Sequence, residues 1–277
     1  MMKKKSEKVW FITGTSRGFG RIWTEAALER GDKVAATARS LESIADLKEK
    51  YGEHVLLLKL DVTKPIEAKA AIEEAYKHFG RLDVVFNNAG YSLVGTIEEA
   101  SIAKIRELYE TNILGAVSVI QAALPLLRAQ GHGHIIGTSS SLGFVTYPII
   151  GFYCSSKWAF EAIHESLAAE VKQFGIKVTI IEPGAYATEF GTLESLKFAN
   201  KLEVYDNLKN QIMERLKTQE RGNPKATPKA ILKVVDVEEP PLRLFLGTKS
   251  LPEVKNAFAA RIKEWEAWES VSNAVQG

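Results

Sequence analysis

The feature that most constrains this chain is an alternation: short runs that are apolar from end to end, each followed by a longer stretch with apolar residues at helical spacing. Val9–Thr13 stops at Gly14, and residues 18–30 then place Ile22, Ala26 and Leu28 on one helical face before Gly31. Lys33–Ala38 leads into a helical stretch at 41–51, residues 55–60 lead into Pro65–Phe79, and 82–86 opens another unit. Residues 102–127 read as one long helix or two consecutive ones, 134–138 as a strand, 155–174 as a helix and 178–181 as a strand. Strands without polar alternation are buried on both faces, and crossovers of a dozen or more residues join parallel neighbours. The expected class is therefore α/β: a doubly wound parallel sheet with helices on both faces.

A length of 277 residues admits two small domains or one large one. The rhythm breaks only at residues 190–223, a polar stretch of mixed charge read as a helical insertion that can act as a lid over the site. A strand at 242–246 and a terminal helix at 253–271, with Val254, Phe258, Ile262 and Trp265 packed at helical spacing, complete a single domain over 1–277. A formal charge of +2 is too small for a dedicated nucleic-acid binder, so phosphate recognition must be local. Cys154 is the single cysteine, which excludes an intramolecular disulfide and a multi-cysteine metal site and suits a reducing, cytoplasmic setting. His132 and His134 lack a third ligand nearby and read as a polar loop, so no metal is expected. The apolar run after the lysine-rich start is too short for a signal peptide, and no run of about 18 apolar residues offers a membrane span.

The first strand turns into the first helix through Thr13-Gly14-Thr15-Ser16-Arg17-Gly18-Phe19-Gly20. Glycines there let the backbone approach a pyrophosphate, the helix start offers free N–H groups, and Thr15 and Ser16 can add hydroxyl donors. NAD-binding folds usually carry an acid near the end of the second strand to hold the adenosine ribose. Here the segment is Ala36-Thr37-Ala38-Arg39, so Arg39 and Arg17 offer two permanent cations to a 2′-phosphate, which predicts a preference for NADP(H).

Tyr153 and Lys157 stand four apart and share a face if the helix has begun. An ammonium beside a phenol lowers its pKa and equips it to exchange a proton with a carbonyl or alcohol oxygen. Tyr205 and Lys209 repeat the spacing, but inside the polar insertion and with no strand ending in hydroxyls before them.

With these residues goes a larger pattern: the glycine turn, Asp61-Val62, Asn87-Asn88-Ala89-Gly90, Asn112, residues 139–143, Tyr153 with Lys157, and Pro183-Gly184 with Thr188. In this order and spacing the chain resembles the short-chain dehydrogenase/reductase family over about residues 8 to 190 and the late strand. The resemblance implies a Rossmann sheet of about seven strands. It implies that Asp61 and Val62 flank the adenine, that Asn88, Ala89 and Gly90 line the cofactor cleft, and that Pro183, Gly184 and Thr188 edge the nicotinamide pocket. It also implies that Ser140 polarises the substrate oxygen, with Ser139 and Ser141 as register alternatives. Asn112 would hold a water in a proton relay to Lys157, and Lys157 would bond the nicotinamide ribose. Family members often form homodimers or homotetramers.

Substrate contacts are expected from Tyr91 and Leu93 after the Asn-Ala-Gly segment, and from Leu142, Phe144, Val145, Tyr147, Pro148 and Ile149. Tyr186 and Phe190 complete the set. None is cationic, which favours a neutral hydrophobic ketone, aldehyde or secondary alcohol. Two other readings stand beside this carbonyl reductase: a 3-ketoacyl-type reductase and an NADP(H)-binding sensor without turnover.

Overall fold

The computed structural model describes residues 7–192 and 196–276. Its strands are β1 (Val9–Thr13), β2 (Lys33–Ala38), β3 (Val55–Lys59), β4 (Val84–Asn87), β5 (Leu93–Val94), β6 (Gly133–Thr138), β7 (Ile176–Pro183), β8 (Lys197–Phe198) and β9 (Arg243–Leu246). Seven of them form one sheet in the order β3-β2-β1-β4-β6-β7-β9, every neighbouring pair parallel. The helices are α1 (Gly18–Glu29), α2 (Ala45–Tyr51), α3 (Pro65–Phe79), α4 (Ile102–Tyr109), α5 (Gly115–Gln130), α6 (Gly151–Val171), α7 (Asp206–Lys217), α8 (Pro228–Asp236), α9 (Ser250–Ala267) and α10 (Glu269–Asn273).

Alternate residues of a strand point to opposite faces, and β1 divides its side chains accordingly. Phe11 joins Val85, Ile135, Ile72 and Val119 in one core, whereas Trp10 and Ile12 join Phe86, Trp23, Ile231 and Val235 in the other. The chain's direction across the sheet reverses between β1 and β4, which opens a crevice at the carboxyl ends of these strands.

Four expectations need correction. Residues Ile102–Gln130 form one continuous helical stretch, with a π-helical turn over Glu110–Leu114, and it is long and apolar enough to cross a membrane by length and composition alone. Its residues Val119, Ile120, Ala123 and Leu127 are instead buried in the core that α3 shares. Between 190 and 223 the chain is not wholly helical, because β8 pairs in parallel with β5 ahead of α7. The C-terminal helix is packed only in its first half: Val254 is buried and Phe258 half-buried, but Ile262, Trp265 and Trp268 are exposed, and Trp158 lies partly open under the Arg261 guanidinium. His134 is a strand residue whose buried ring meets the Thr179 hydroxyl at 2.9 Å, so the polar-loop reading fails there too.

Asp32 ties the start of β1 to the turn before β2. Its carboxylate accepts from Lys8 N at 3.1 Å, Trp10 Nε1 at 2.8 Å and Arg30 Nε at 3.0 Å, while Arg30 also reaches Asp236 at the end of α8. Asp32→Ala strands these donors and should cost about 2 to 4 kcal/mol in urea unfolding. A loss below about 0.5 kcal/mol, the range of an ordinary surface change, would show the network to be ornamental.

Candidate active site

The glycine turn is shaped by contacts from β4 and β6. Gly14 sits at φ +70°, and a Cβ there would lie 3.0 Å from Ala89 Cα. A Cβ on Gly20 would fall 2.2 Å from the Gly14 carbonyl oxygen and 2.4 Å from Asn88 Nδ2, so only glycine fits. The Asn88 amide donates to the carbonyls of Thr13 and Gly14 at 3.1 and 3.2 Å, and its oxygen accepts from Thr138 Oγ1 at 3.2 Å. In return Thr13 Oγ1 accepts from the N–H groups of Asn88 and Ala89 at 2.9 and 3.0 Å. The carboxyl ends of β1, β4 and β6 are thereby fastened together.

Of the hydroxyls expected to donate at this turn, Thr15 is buried and spends its proton on the Thr37 carbonyl, which leaves Ser16 exposed. Arg17 and Arg39 are both exposed at the crevice end of β1 and β2. Asp61 accepts from the N–H and hydroxyl of Thr63, while Val62 is buried where a Cβ on Gly115 would strike it at 2.7 Å. Thr188 comes within 3.9 Å of a Cβ position on Gly18. Sequence reasoning missed its neighbour, Glu189, whose Oε2 accepts from Gly18 N at 3.1 Å and so already places an anion at the helix start.

At the other side of the crevice α6 begins at Gly151, so Tyr153 and Lys157 do lie on one face, both buried. Lys157 Nζ donates to the Thr138 carbonyl at 2.7 Å and stands 5.7 Å from the centre of the Tyr153 ring. Ser140 Oγ accepts from Leu142 N at 3.2 Å and donates to the Pro183 carbonyl at 3.3 Å, which holds it where β6 and β7 end. Asn112, in the π-helical turn, accepts from Tyr91 N and donates to Tyr91 O, each at 3.0 Å, and to Ser156 Oγ at 3.1 Å. It therefore fastens the chain just after Gly90. Burial raises the Tyr153 phenol above its ordinary range, with the nearby Ser140 hydroxyl acting in the opposite sense. Burial also pushes the Lys157 ammonium down to about 8. The expected lowering of the tyrosine is thus reversed here, because both groups are desolvated and the ammonium is spent on a carbonyl.

A family described as short chain dehydrogenase matches residues 8–196. The chain belongs to the short-chain dehydrogenase family. It is 38% identical over 271 residues to oxidoreductase BOA17 of Botryotinia fuckeliana, covering 96% of this chain and 98% of that one. It is 34% identical over 261 residues to 3-ketodihydrosphingosine reductase of Bacteroides thetaiotaomicron, covering 93% of each. The crystal structure of a short-chain dehydrogenase from Streptomyces avermitilis superposes with a TM-score of 0.91 at 34% identity, over 99% of this chain and 100% of that one. Other solved proteins of this fold are complexes with NAD, NADP or 5-hydroxy-NADP.

In this short-chain dehydrogenase the expected substrate residues separate into two groups. Phe190 reaches the site, its ring 5.7 Å from that of Tyr153; Val145 and Ile149 are buried a few residues before the tyrosine in the chain, and Leu93 is buried in β5. Ile149 has φ +62°, a strained conformation for a β-branched residue, and its carbonyl accepts from Gly95 N at 2.6 Å. Phe144 instead packs on Phe245 and Phe258, Tyr147 bonds Glu253, and Tyr186 packs edge-on to Phe19 and against Gly222. These three support the shell, because Phe245 of β9, Phe258 and Glu253 of α9, and Phe19 of α1 hold them. Leu142 is half-buried and Pro148 exposed. A cation that sequence reasoning missed, Lys197 of β8, lies 4.4 Å from the centre of the Tyr91 ring and pairs with Glu107 at 3.1 Å. The decoy pair is held elsewhere: Tyr205 bonds Glu98, and Lys209 bonds Glu99.

Asn88→Ala removes two donors and an acceptor from the strand-end clamp. It should lower stability by about 1 to 3 kcal/mol and weaken dinucleotide binding by tenfold or more, as read by urea unfolding and cofactor titration. Unchanged values in both would remove Asn88 from its assigned place.

Proposed function

We propose that this protein is an NADPH-dependent carbonyl reductase, reversible as an alcohol dehydrogenase, acting on a neutral hydrophobic ketone or aldehyde. The observation that carries this reading is the buried Tyr153 and Lys157 on one face of α6, beside Ser140 and across the crevice from the glycine turn. The residues fit a dinucleotide: the turn is bare of side chains at Gly14 and Gly20, and among the described residues Arg17 and Arg39 have no ion-pair partner. When bound, the nicotinamide supplies the hydride.

Tyr153 donates its proton to the carbonyl oxygen as charge develops there. Its raised pKa in the free protein keeps it protonated, which is the state a reduction needs. Ser140 turns its hydroxyl from the Pro183 carbonyl to the substrate oxygen and stabilises the same charge. Lys157, one helical turn on, stabilises the phenolate that remains and draws the tyrosine back toward a reactive pKa once its charge is brought closer. Asn112 holds the Tyr91 backbone against α6 and so fixes the wall on which the substrate rests.

A second reading, reduction of a 3-keto group on a long-chain substrate, is favoured by the 34% identity to 3-ketodihydrosphingosine reductase over 93% of both chains. The aromatic and aliphatic side chains around Tyr153 suit either substrate. A sensor without turnover has no use for the serine, tyrosine and lysine together.

Following NADPH oxidation against a panel of aryl, steroid-like and long-chain 3-keto substrates tests the reading. Tyr153→Phe should bind NADPH as before and lose about 10²- to 10⁴-fold in turnover. Full turnover by the folded variant would refute the tyrosine as proton donor. Arg39→Ala should raise the dissociation constant for NADPH about tenfold and leave that for NADH nearly unchanged, since only NADPH carries the 2′-phosphate. Equal changes for both cofactors would remove the arginine from phosphate recognition.

A further inference from the structure

Behind the tyrosine and lysine lies a second group of charges that the reaction as described does not use. Glu161 follows Lys157 by one helical turn and is buried. One of its oxygens accepts from Arg243 Nε at 3.0 Å. Its other oxygen, Oε1, is buried beside Gly143 along with the Ser139 hydroxyl, and neither has a hydrogen-bond partner among the described residues. Glu182 on β7 has no exposed surface, and neither of its oxygens has a hydrogen-bond partner among the described residues. The nearest cation, Arg243 Nε, is 3.6 Å away and already committed to Glu161, while the same guanidinium reaches Glu165 at 2.7 Å from outside.

Two buried carboxylates thus meet one arginine that favours the first. A charged carboxylate without hydrogen bonds is among the costliest groups to bury, and a proton removes most of that cost. Two such groups close together do not both ionise near neutral pH.

We propose that Glu161 and Glu182 share one proton, with Glu182 the neutral acid and Glu161 the anion held by Arg243, and that this single negative charge is what keeps the buried Lys157 cationic. Glu161 is then a positioning residue for the reaction, acting through the lysine. This deepens the reading given above and rests on it only for the role of Lys157.

Other charged groups around the cluster leave this balance in place. From α6 come Lys157 itself, Glu165 at the surface, and His164, whose ring burial drives to about 4 and so keeps neutral. From β9 comes Arg243, and from β7 Glu182, which burial and the neighbouring Glu161 push up to about 9. The β6 end contributes only the Ser139 hydroxyl, and Arg261 of α9 is turned to the Phe144 carbonyl. Burial raises the Glu161 carboxyl too, with Ser139 and Arg243 acting in the opposite sense, and its charge in turn opposes the burial that lowers Lys157.

The test combines two measurements on the full chain. At neutral pH the infrared spectrum should show the carbonyl stretch of a protonated carboxylic acid, and Glu182→Gln should remove it. In the pH profile of kcat/KM for carbonyl reduction, activity should fall as pH rises through about 8, as Lys157 loses its proton in the free enzyme. Glu161→Gln should move that fall to lower pH by about one unit or more, since a unit charge about 6 Å away is lost from a buried site. Glu182→Gln, which copies the shape of the neutral acid, should leave it in place. Should Glu161→Gln not fold, Arg243→Gln should give the same displacement, because without its cation Glu161 takes up a proton. No acid band, no displacement, or equal displacement in both glutamine variants would each overturn the proposal. Normal turnover by Tyr153→Phe would instead bring down the catalytic reading, leaving the infrared band to decide the shared proton.

Discussion

The reciprocal clamp between Thr13 and Asn88 is the interaction on which the rest of the site depends. Parallel strands end where their ladder bonds run out, and their last carbonyls and amides need partners. At β1 and β4 each end supplies the partner of the other, and Thr138 extends the tie to β6. Consequently the glycine turn, the Asn88-Ala89-Gly90 wall and the carbonyl that receives Lys157 are parts of one rigid rim. A small movement of any one strand end would be felt at all three.

Much of this was legible in the residues. Runs with no polar alternation could only be doubly buried strands, and β1 to β4, β6 and β7 fall where those runs lie, within a few residues at each end. The seven-stranded parallel sheet follows. Tyr153 and Lys157 were brought together because a helix start two residues before the tyrosine makes a spacing of four a shared face. What could not be read was the allocation of aromatic side chains. Phe144, Tyr147 and Tyr186 sit in segments that border the site, but each ring is claimed by a distant partner on α9, β9 or α1. Local sequence does not record which way a loop side chain turns. The same is true of Trp265, which stands at helical spacing on α9 and is nonetheless exposed.

Electrostatics was the part least accessible to spacing. The sequence places an ammonium next to a phenol, and proximity alone suggests a lowered phenol. The structure shows both groups buried and the ammonium occupied by the Thr138 carbonyl, so desolvation governs the pair in the free protein. Opposing shifts of this kind leave a neutral acid and a cation poised near working pH, which is the combination that proton donation followed by phenolate stabilisation requires.

The hydrogen bond from Gly18 N to Glu189 has a thermodynamic side. An anion drawn to this N–H competes with the carboxylate that already holds it. Glu189 directly follows Thr188 and leads toward Phe190, whose ring lies against Tyr153. An anion at the start of α1 and the segment carrying Phe190 would therefore draw on the same N–H, and any such coupling is reciprocal. A ligand that settled Phe190 over the tyrosine by way of Glu189 would change the hold on an anion at the start of α1 by the same factor that the anion changes its own.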